Sequence, residues 1–229
     1  KKTKMKKIEF VCVHSDGVKY WPNPVPANRI LPDDYKKMSR FNDKNVLSPT
    51  VKMCVPFLDA LSSGYIIPLD QDYLIDAVET DFTVIPASNI REDISYHSQK
   101  QLPPSLHKGA EKVGKFICRW IIKTPPGYSC LFLKPLNRAE ERFEIISGVV
   151  DTDDYNEPIN FPFHWKKWNK QTLLEKGCPM VQVIPFKRED WKSFVGFYHL
   201  ENHHVTYMKI RSYIINKYRK LFWKRKRYK

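Results

Sequence analysis

Seventeen prolines against eight glycines constrain this chain more than any other feature of its sequence. Each proline fixes φ near about −65°, removes a backbone donor and pushes the preceding residue toward extended backbone. Long helices are interrupted, and the run Trp21-Pro22-Asn23-Pro24-Val25-Pro26 can pass only as an extended, polyproline-like connector. So few glycines also argue against a glycine-looped nucleotide-binding α/β fold. The expected class is α+β, predominantly β. With 42% hydrophobic and 14% aromatic residues in 229, the chain can bury a sizeable core.

Patterning supplies the elements. Ile8 to Val13 reads as a short strand, and Leu31 to Arg40 as a helix with Asp33 and Asp34 in its first turn. Thr50 to Ser62 reads as a second short helix, with Pro56 inside the pattern and Gly64 placed to end it. Tyr65-Ile66-Ile67-Pro68 is extended, and the alternation from Tyr73 to Pro86 fits a hairpin. The polar stretch Ser88 to Lys108 reads as loop. The densest strand signal runs from Phe116 to Phe186, where Pro125-Pro126-Gly127, Asn137-Arg138, Asp153-Asp154 and Lys176-Gly177 separate four or five strands. From Tyr198 to Lys229 there is no proline or glycine, and Val205, Met208, Ile214, Tyr218, Leu221 and Phe222 recur near helical spacing. The resulting division is an N-terminal α+β segment (1–115), a β domain (116–195) and a basic amphipathic C-terminal helix or tail (196–229).

The net charge of +14 resides at the two ends. Residues 1 to 9 hold five lysines and one glutamate, and residues 202 to 229 hold ten Lys or Arg and no acid, so the middle is balanced. Lys209, Arg211, Lys217, Arg219, Lys220, Lys224, Arg225, Lys226 and Arg227 would repel one another along a helix, which predicts an acidic protein surface or nucleic acid as their partner. No apolar run approaches the roughly 20 residues a membrane span needs, so no span and a cytoplasmic setting are expected. Cys12, Cys54, Cys118, Cys130 and Cys178 are odd in number and widely spaced, which predicts reduced core thiols and no metal site.

Three motifs in the second half carry a resemblance. They are Gly127-Tyr128-Ser129, then Gly148-Val149-Val150-Asp151-Thr152-Asp153-Asp154-Tyr155, then Leu174-Glu175-Lys176-Gly177-Cys178-Pro179-Met180-Val181-Gln182-Val183-Ile184. Over about residues 120 to 190 the chain resembles the dUTPase and dCTP deaminase superfamily, which implies a β-clip fold and a three-fold symmetric oligomer. The resemblance further implies a pocket formed by Tyr128, Asp151, Tyr155 and Gln182. Asp151 would stand where the family's water-activating base stands, Tyr155 would carry the sugar, and Gln182 would cap the pocket. Gly148 would allow close backbone approach in the hairpin. Ser129 stands where the family has a magnesium-binding Asp, only Asn137-Arg138 lies near the phosphate-binding turn, and the glycine-rich C-terminal arm is missing. Asp153-Asp154 also adds a residue before Tyr155. With Cys54, Pro56-Phe57-Leu58-Asp59-Ala60, Gly64-Tyr65, Asn160-Phe161-Pro162-Phe163 and Val183-Ile184-Pro185-Phe186-Lys187-Arg188-Glu189, the chain is similar to an uncharacterised family of tailed phages and bacteria.

Plainer readings stand beside these. Asp151 reads equally as a turn aspartate that satisfies backbone donors. His14-Ser15-Asp16 matches the H-x-D of iron and 2-oxoglutarate oxygenases, with His204 and Arg211 as the remainder, but too little chain precedes it for the usual jelly roll. Phe161, Phe163, Trp165, Trp168 and Trp191 interleave with Lys166, Lys167, Lys170, Lys187, Arg188 and Lys192, as suits stacking on single-stranded nucleic acid, or core aromatics beside solvated charges. The expectation is a non-catalytic β-clip structural or assembly protein of a tailed-phage virion or similar complex, oligomeric and without cofactor. The alternative is a dUTPase or dCTP deaminase-like nucleotide-binding enzyme using magnesium, with Asp151 as its base.

Overall fold

The computed structural model describes residues 6–15, 17–42, 48–85, 94–196 and 218–229. In chain order its elements are β1 (Glu9–Cys12), α1 (Gly17–Tyr20), β2 (Val25–Pro26), α2 (Asp33–Lys37), α3 (Val55–Ser62), β3 (Tyr65–Pro68), β4 (Tyr73–Val78), β5 (Asp81–Ile85) and β6 (Ile94–Ser98). There follow α4 (Pro104–His107), β7 (Lys112–Ile117), β8 (Trp120–Lys123), β9 (Tyr128–Leu133), β10 (Phe143–Ile145), β11 (Gly148–Val150), β12 (Asn160–Trp165), β13 (Lys170–Leu174) and β14 (Pro179–Lys187). The protein is mostly β with a few short helices, in keeping with its proline content. Among the described residues no helix is long and apolar enough to cross a membrane.

Every strand pairing is antiparallel. Among the described residues the strands form four sheets, ordered β1-β8, β10-β12-β7-β6, β11-β9-β14-β3-β2 and β13-β4-β5. Each sheet joins strands from residues 1–117 to strands from residues 120–187, so the early and late parts of the chain are interleaved throughout. One aromatic core binds the sheets: Phe116 stacks on Phe163 at 4.2 Å between centroids, Phe143 meets Phe116 edge-on at 5.3 Å, and Phe132 packs against Phe161 at 5.5 Å. These phenylalanines are all buried. Alternation puts Phe161, Phe163 and Trp165 on the inner face of β12 while Asn160, Pro162 and His164 are more accessible. Two glycines are required sterically. At Gly64 φ is +67° and a Cβ would lie 1.9 Å from the Val183 carbonyl oxygen, while at Gly114 it would lie 2.4 Å from the Phe163 ring.

The expected first strand and extended connector are present, as is the expected hairpin over Tyr73–Ile85, with Glu79 at φ +50° in its turn; Pro86 lies outside the described residues. Pro56 falls in the first turn of α3, where an amide donor has no intrahelical acceptor, so it starts the helix rather than breaking it. The expected 31–40 helix is trimmed to α2. Three expectations are corrected. In the stretch read as loop, residues 94 onward form β6, a 3-10 turn at Gln99–Gln101 and α4; β6 buries only Ile94, so its alternation is weak. From Phe116 to Phe186, after the end of β7, there are seven strands, β8 to β14, rather than four or five. Of the expected C-terminal helix, residues 197–217 lie outside the described residues, Tyr218–Phe222 make a single π-helical turn, and residues 223–229 are not helical. The cysteines also depart from a uniform core assignment: Cys118 and Cys130 are buried, Cys12 and Cys178 half-buried, and Cys54 exposed.

Candidate functional site

The site is built where β9, β11 and the end of β14 meet. β9 is the middle strand, pairing Cys130 with Val150 on one side and Ser129 with Phe186 on the other. After Val150 the chain turns sharply: the Asp154 and Tyr155 amides both donate to the Asp151 carbonyl, at 3.2 and 2.9 Å. The turn is anchored beneath by Thr152, which is buried, meets the Thr124 hydroxyl at 2.7 Å and donates to the Cys130 sulfur. The Thr124 amide donates to the Thr152 carbonyl at 3.1 Å.

The side chains of this turn form an ionic cluster. Ser129, fully buried, donates through Oγ to Asp151 Oδ1 at 2.6 Å. Arg188 follows β14 directly, its amide held by the Gly127 carbonyl at 2.9 Å, which aims its guanidinium back over β9. Nη1 donates to Asp153 Oδ1 at 2.8 Å, Ser129 Oγ at 3.0 Å and the Tyr128 carbonyl at 3.2 Å, and lies 3.2 Å from Asp151 Oδ1. Nη2 pairs with Asp153 Oδ2, giving a bidentate grip, and the same oxygen accepts from the Gly127 amide at 2.8 Å. The Arg188 hydrogen bonds, followed by that of the Gly127 amide, hold the Asp153 carboxyl down at about 2, and Asp153 in turn raises the Arg188 guanidinium. Asp151 remains 66% exposed while Asp153 is 9% exposed, so the extra acid of the turn, rather than the motif aspartate, is the one drawn in.

The residues expected to line a pocket divide. Asp151 enters the cluster by its side chain and Tyr128 by its carbonyl alone, while Tyr155, whose amide donates to the Asp151 carbonyl, is 46% exposed. Gln182 is elsewhere. Mid-way along β14 and fully buried, it accepts from the Leu136 amide at 2.8 Å and donates to the Ala60 and Ser63 carbonyls at 3.0 and 2.6 Å. It ties α3 and the strand after it to the core. Gly148 is open: a Cβ there would meet nothing within 4 Å, so it makes no close approach. Arg138 also turns inward, donating to the carbonyls of Ile30, Ala27 and Leu61 at 2.5, 3.1 and 3.2 Å; burial lowers its pKa. Lys134 pairs with Glu144 at 2.6 Å. Among the described residues no group of three or more His, Cys, Asp or Glu is placed to hold a metal ion. His14 packs edge-on against Trp21 at 5.4 Å, and Asp16, His204 and Arg211 lie outside the described residues.

Of the basic tail, Lys209, Arg211 and Lys217 lie outside the described residues. Its last residues are docked on α3: Trp223 Nε1 donates to both Asp59 oxygens at 3.1 and 3.0 Å, Lys226 reaches Asp59 at 2.5 Å, and Tyr228 meets Tyr65 edge-on at 6.0 Å. Arg219 lies 5.7 Å over the Trp223 ring, while Lys220, Lys224, Arg225 and Arg227 are exposed. Local sequence pattern assigns no pairing to Arg188, Asp153 or Asp59. The only signal for the first two was their closeness to Tyr128-Ser129 once β14 is set antiparallel to β9.

The chain matches no protein-family model and no curated protein. Among solved structures it is similar to a mutant dUTPase of Staphylococcus bacteriophage 80alpha with dUpNHpp, at a TM-score of 0.35 and 11% sequence identity, over 86% of this chain and 92% of that chain. That likeness assigns neither an activity nor a ligand here.

Proposed function

We propose that this chain is a non-catalytic β-clip protein, a structural or assembly component of a tailed-phage virion or a similar complex, which meets acidic protein or nucleic acid through its basic ends. The observation that carries the reading is the Arg188 clamp. A nucleotide-cleaving base works within hydrogen-bond reach of the proton it takes, beside cations free to hold the substrate's phosphates. Asp151 Oδ1 already accepts from Ser129 and lies against Arg188, and Arg188 is fixed by Asp153. Gln182 and Arg138, the other groups a nucleotide enzyme would use, are engaged with backbone, Gln182 through both amide atoms and Arg138 through Nη1 and Nη2. What the cluster does is lock the β9–β11 turn to the end of β14, giving a rigid edge suited to docking.

The test combines pyrophosphate release from dUTP and dCTP with magnesium and the mass of the purified protein in solution. The expected result is no turnover, an oligomer, for which a β-clip would favour three copies, and a salt-sensitive association of the basic ends with nucleic acid or virion proteins. Turnover that Asp151→Asn abolishes would overturn the reading, as would a monomer indifferent to all of these partners.

A further inference from the structure

A second cavity, of about 240 Å³, opens on the sheet that carries β7 and β12, away from the hairpin cluster on the β9–β14 sheet. Its deepest lining is aromatic. Phe163 and Trp165 are buried, and Trp168 is half-buried beside them. The Trp165 indole N–H is spent on the Lys167 carbonyl at 2.8 Å, so what this ring offers the cavity is π surface. Its accessible lining is cationic: Lys108, Lys112 and Lys166, with His107 and His164. Among the described residues that line it none is acidic.

The three lysines differ. Lys112 pairs with Asp81 at 3.0 Å and lies 4.6 Å over the Tyr96 ring, and Lys166 pairs with Glu144 at 2.8 Å, so much of their charge is compensated. Lys108 is exposed and sits at the end of α4 with φ +52°, next to Gly109 at φ +84°. That left-handed backbone closes α4, the Lys108 amide donating to the Pro104 carbonyl at 3.1 Å, and leaves the side chain exposed at the cavity. Burial first, then Lys108, lowers the pKa of His164, with Glu144 opposing the shift and Lys166 adding to it. A cavity of this size holds on the order of eight waters and is smaller than sites for drug-sized molecules, so it admits one ring system with the remainder outside.

Apolar π surface within and cations at the mouth call for a flat aromatic ring bearing an anionic group. We propose that this cavity binds a single nucleotide unit, its base against Trp168 and its phosphate on Lys108. The unit comes either from a free mononucleotide or from an unpaired residue of single-stranded nucleic acid. The site shares no residue with the Asp151 cluster and asks for no catalysis.

Calorimetric titration of the full chain with AMP, dTMP and a decathymidylate tests it, with adenosine as the uncharged comparison. Wild type is expected to bind at least one phosphorylated probe saturably, and AMP more tightly than adenosine. Lys108→Glu is expected to weaken binding tenfold or more, on the order of a charge-assisted contact replaced by repulsion. Trp168→Ala is expected to weaken it roughly 5- to 150-fold, the range for loss of one base-stacking contact. Lys123→Glu, the same charge change at an exposed site on β8, controls for general electrostatics. Because Lys108 is a surface side chain, K108E keeps the test decisive even where W168A fails to fold. Binding of the mononucleotides assigns a small-molecule source, and binding of the decathymidylate alone assigns nucleic acid. The proposal is overturned by the absence of saturable binding to every probe, or by binding that K123E weakens as much as K108E.

Discussion

Gln182→Leu separates a structural glutamine from a ligand-capping one. The substitution keeps nearly the same volume at a fully buried position but removes one acceptor and two donors, from the Leu136 amide and the Ala60 and Ser63 carbonyls. Leaving a buried backbone group unsatisfied costs about 1–3 kcal/mol. All three partner residues are partly accessible, so the low end applies and the loss is about 3–4 kcal/mol, from which leucine's extra apolar surface recovers about 1 kcal/mol. A net destabilisation of about 2–3 kcal/mol follows, equivalent to a Tm fall of about 4–12 °C for a chain of this length. Urea denaturation followed by tryptophan fluorescence measures it, with an unchanged slope confirming that the unfolding reaction is the same. Gln182→Glu supplies a second arm. It still accepts from Leu136 but faces two carbonyls with a charge, so its folded pKa is raised above the unfolded value and its deficit shrinks as pH falls through that folded value. A loss below about 1 kcal/mol in the leucine variant would refute the reasoning and return Gln182 to a ligand-facing role.

Other perturbations have equally definite outcomes. The Glu144 carboxyl is held at about 2 by hydrogen bonds from Lys134 and Lys166, below its ordinary value of about 4.3. Its stabilising contribution is therefore complete above that value and lost as pH falls from about 4 to about 2, and Glu144→Gln should flatten that part of the acid-unfolding curve. Arg188→Ala should return the Asp153 carboxyl from about 2 toward the ordinary range, read by carboxyl NMR titration; an unmoved Asp153 would mean that the Gly127 amide alone holds it. Burial pushes the Cys118, Cys130 and Cys178 thiols up to about 12, 11 and 12, so a thiol-alkylating reagent at mild pH should modify exposed Cys54 first, as peptide mapping would show. Gly64→Ala should destabilise strongly, since its Cβ meets backbone rather than a side chain that can move; a near-neutral thermal melt would refute the close approach.

The β-rich class was legible because prolines and turn residues write local rules. Pro125-Pro126-Gly127 and Lys176-Gly177 do separate strands, and Gly64 does follow a helix with positive φ. Other boundaries carry no such mark. β7 gives way to β8 through Cys118-Arg119, and β10 to β11 through Ile146-Ser147, where the break is set by pairing with distant strands. The site was half legible for the same reason. Asp151 and Tyr155 lie in one turn that local pattern could suggest, whereas Tyr128 comes near them through the pairing of β9 with β11. Arg188 reaches them only because β14 lies antiparallel to β9, and Gln182 turns inward because α3 closes over it, which no short window of sequence records.

The interleaving of the sheets gives this fold a timetable. Leu174 pairs with Tyr73, and Val183 pairs with Tyr65 at the point where Gly64 presses on it. At ordinary rates of synthesis β3 emerges on the order of ten seconds before β14 exists to cover it. During that wait Ile66 and Ile67, fully sheltered in the finished protein, present an unpaired apolar edge to whatever is nearby. The chain cannot mature piecemeal from its first half. It closes late and all at once, and the cell making it must keep that half-built edge from its neighbours until the last strand arrives.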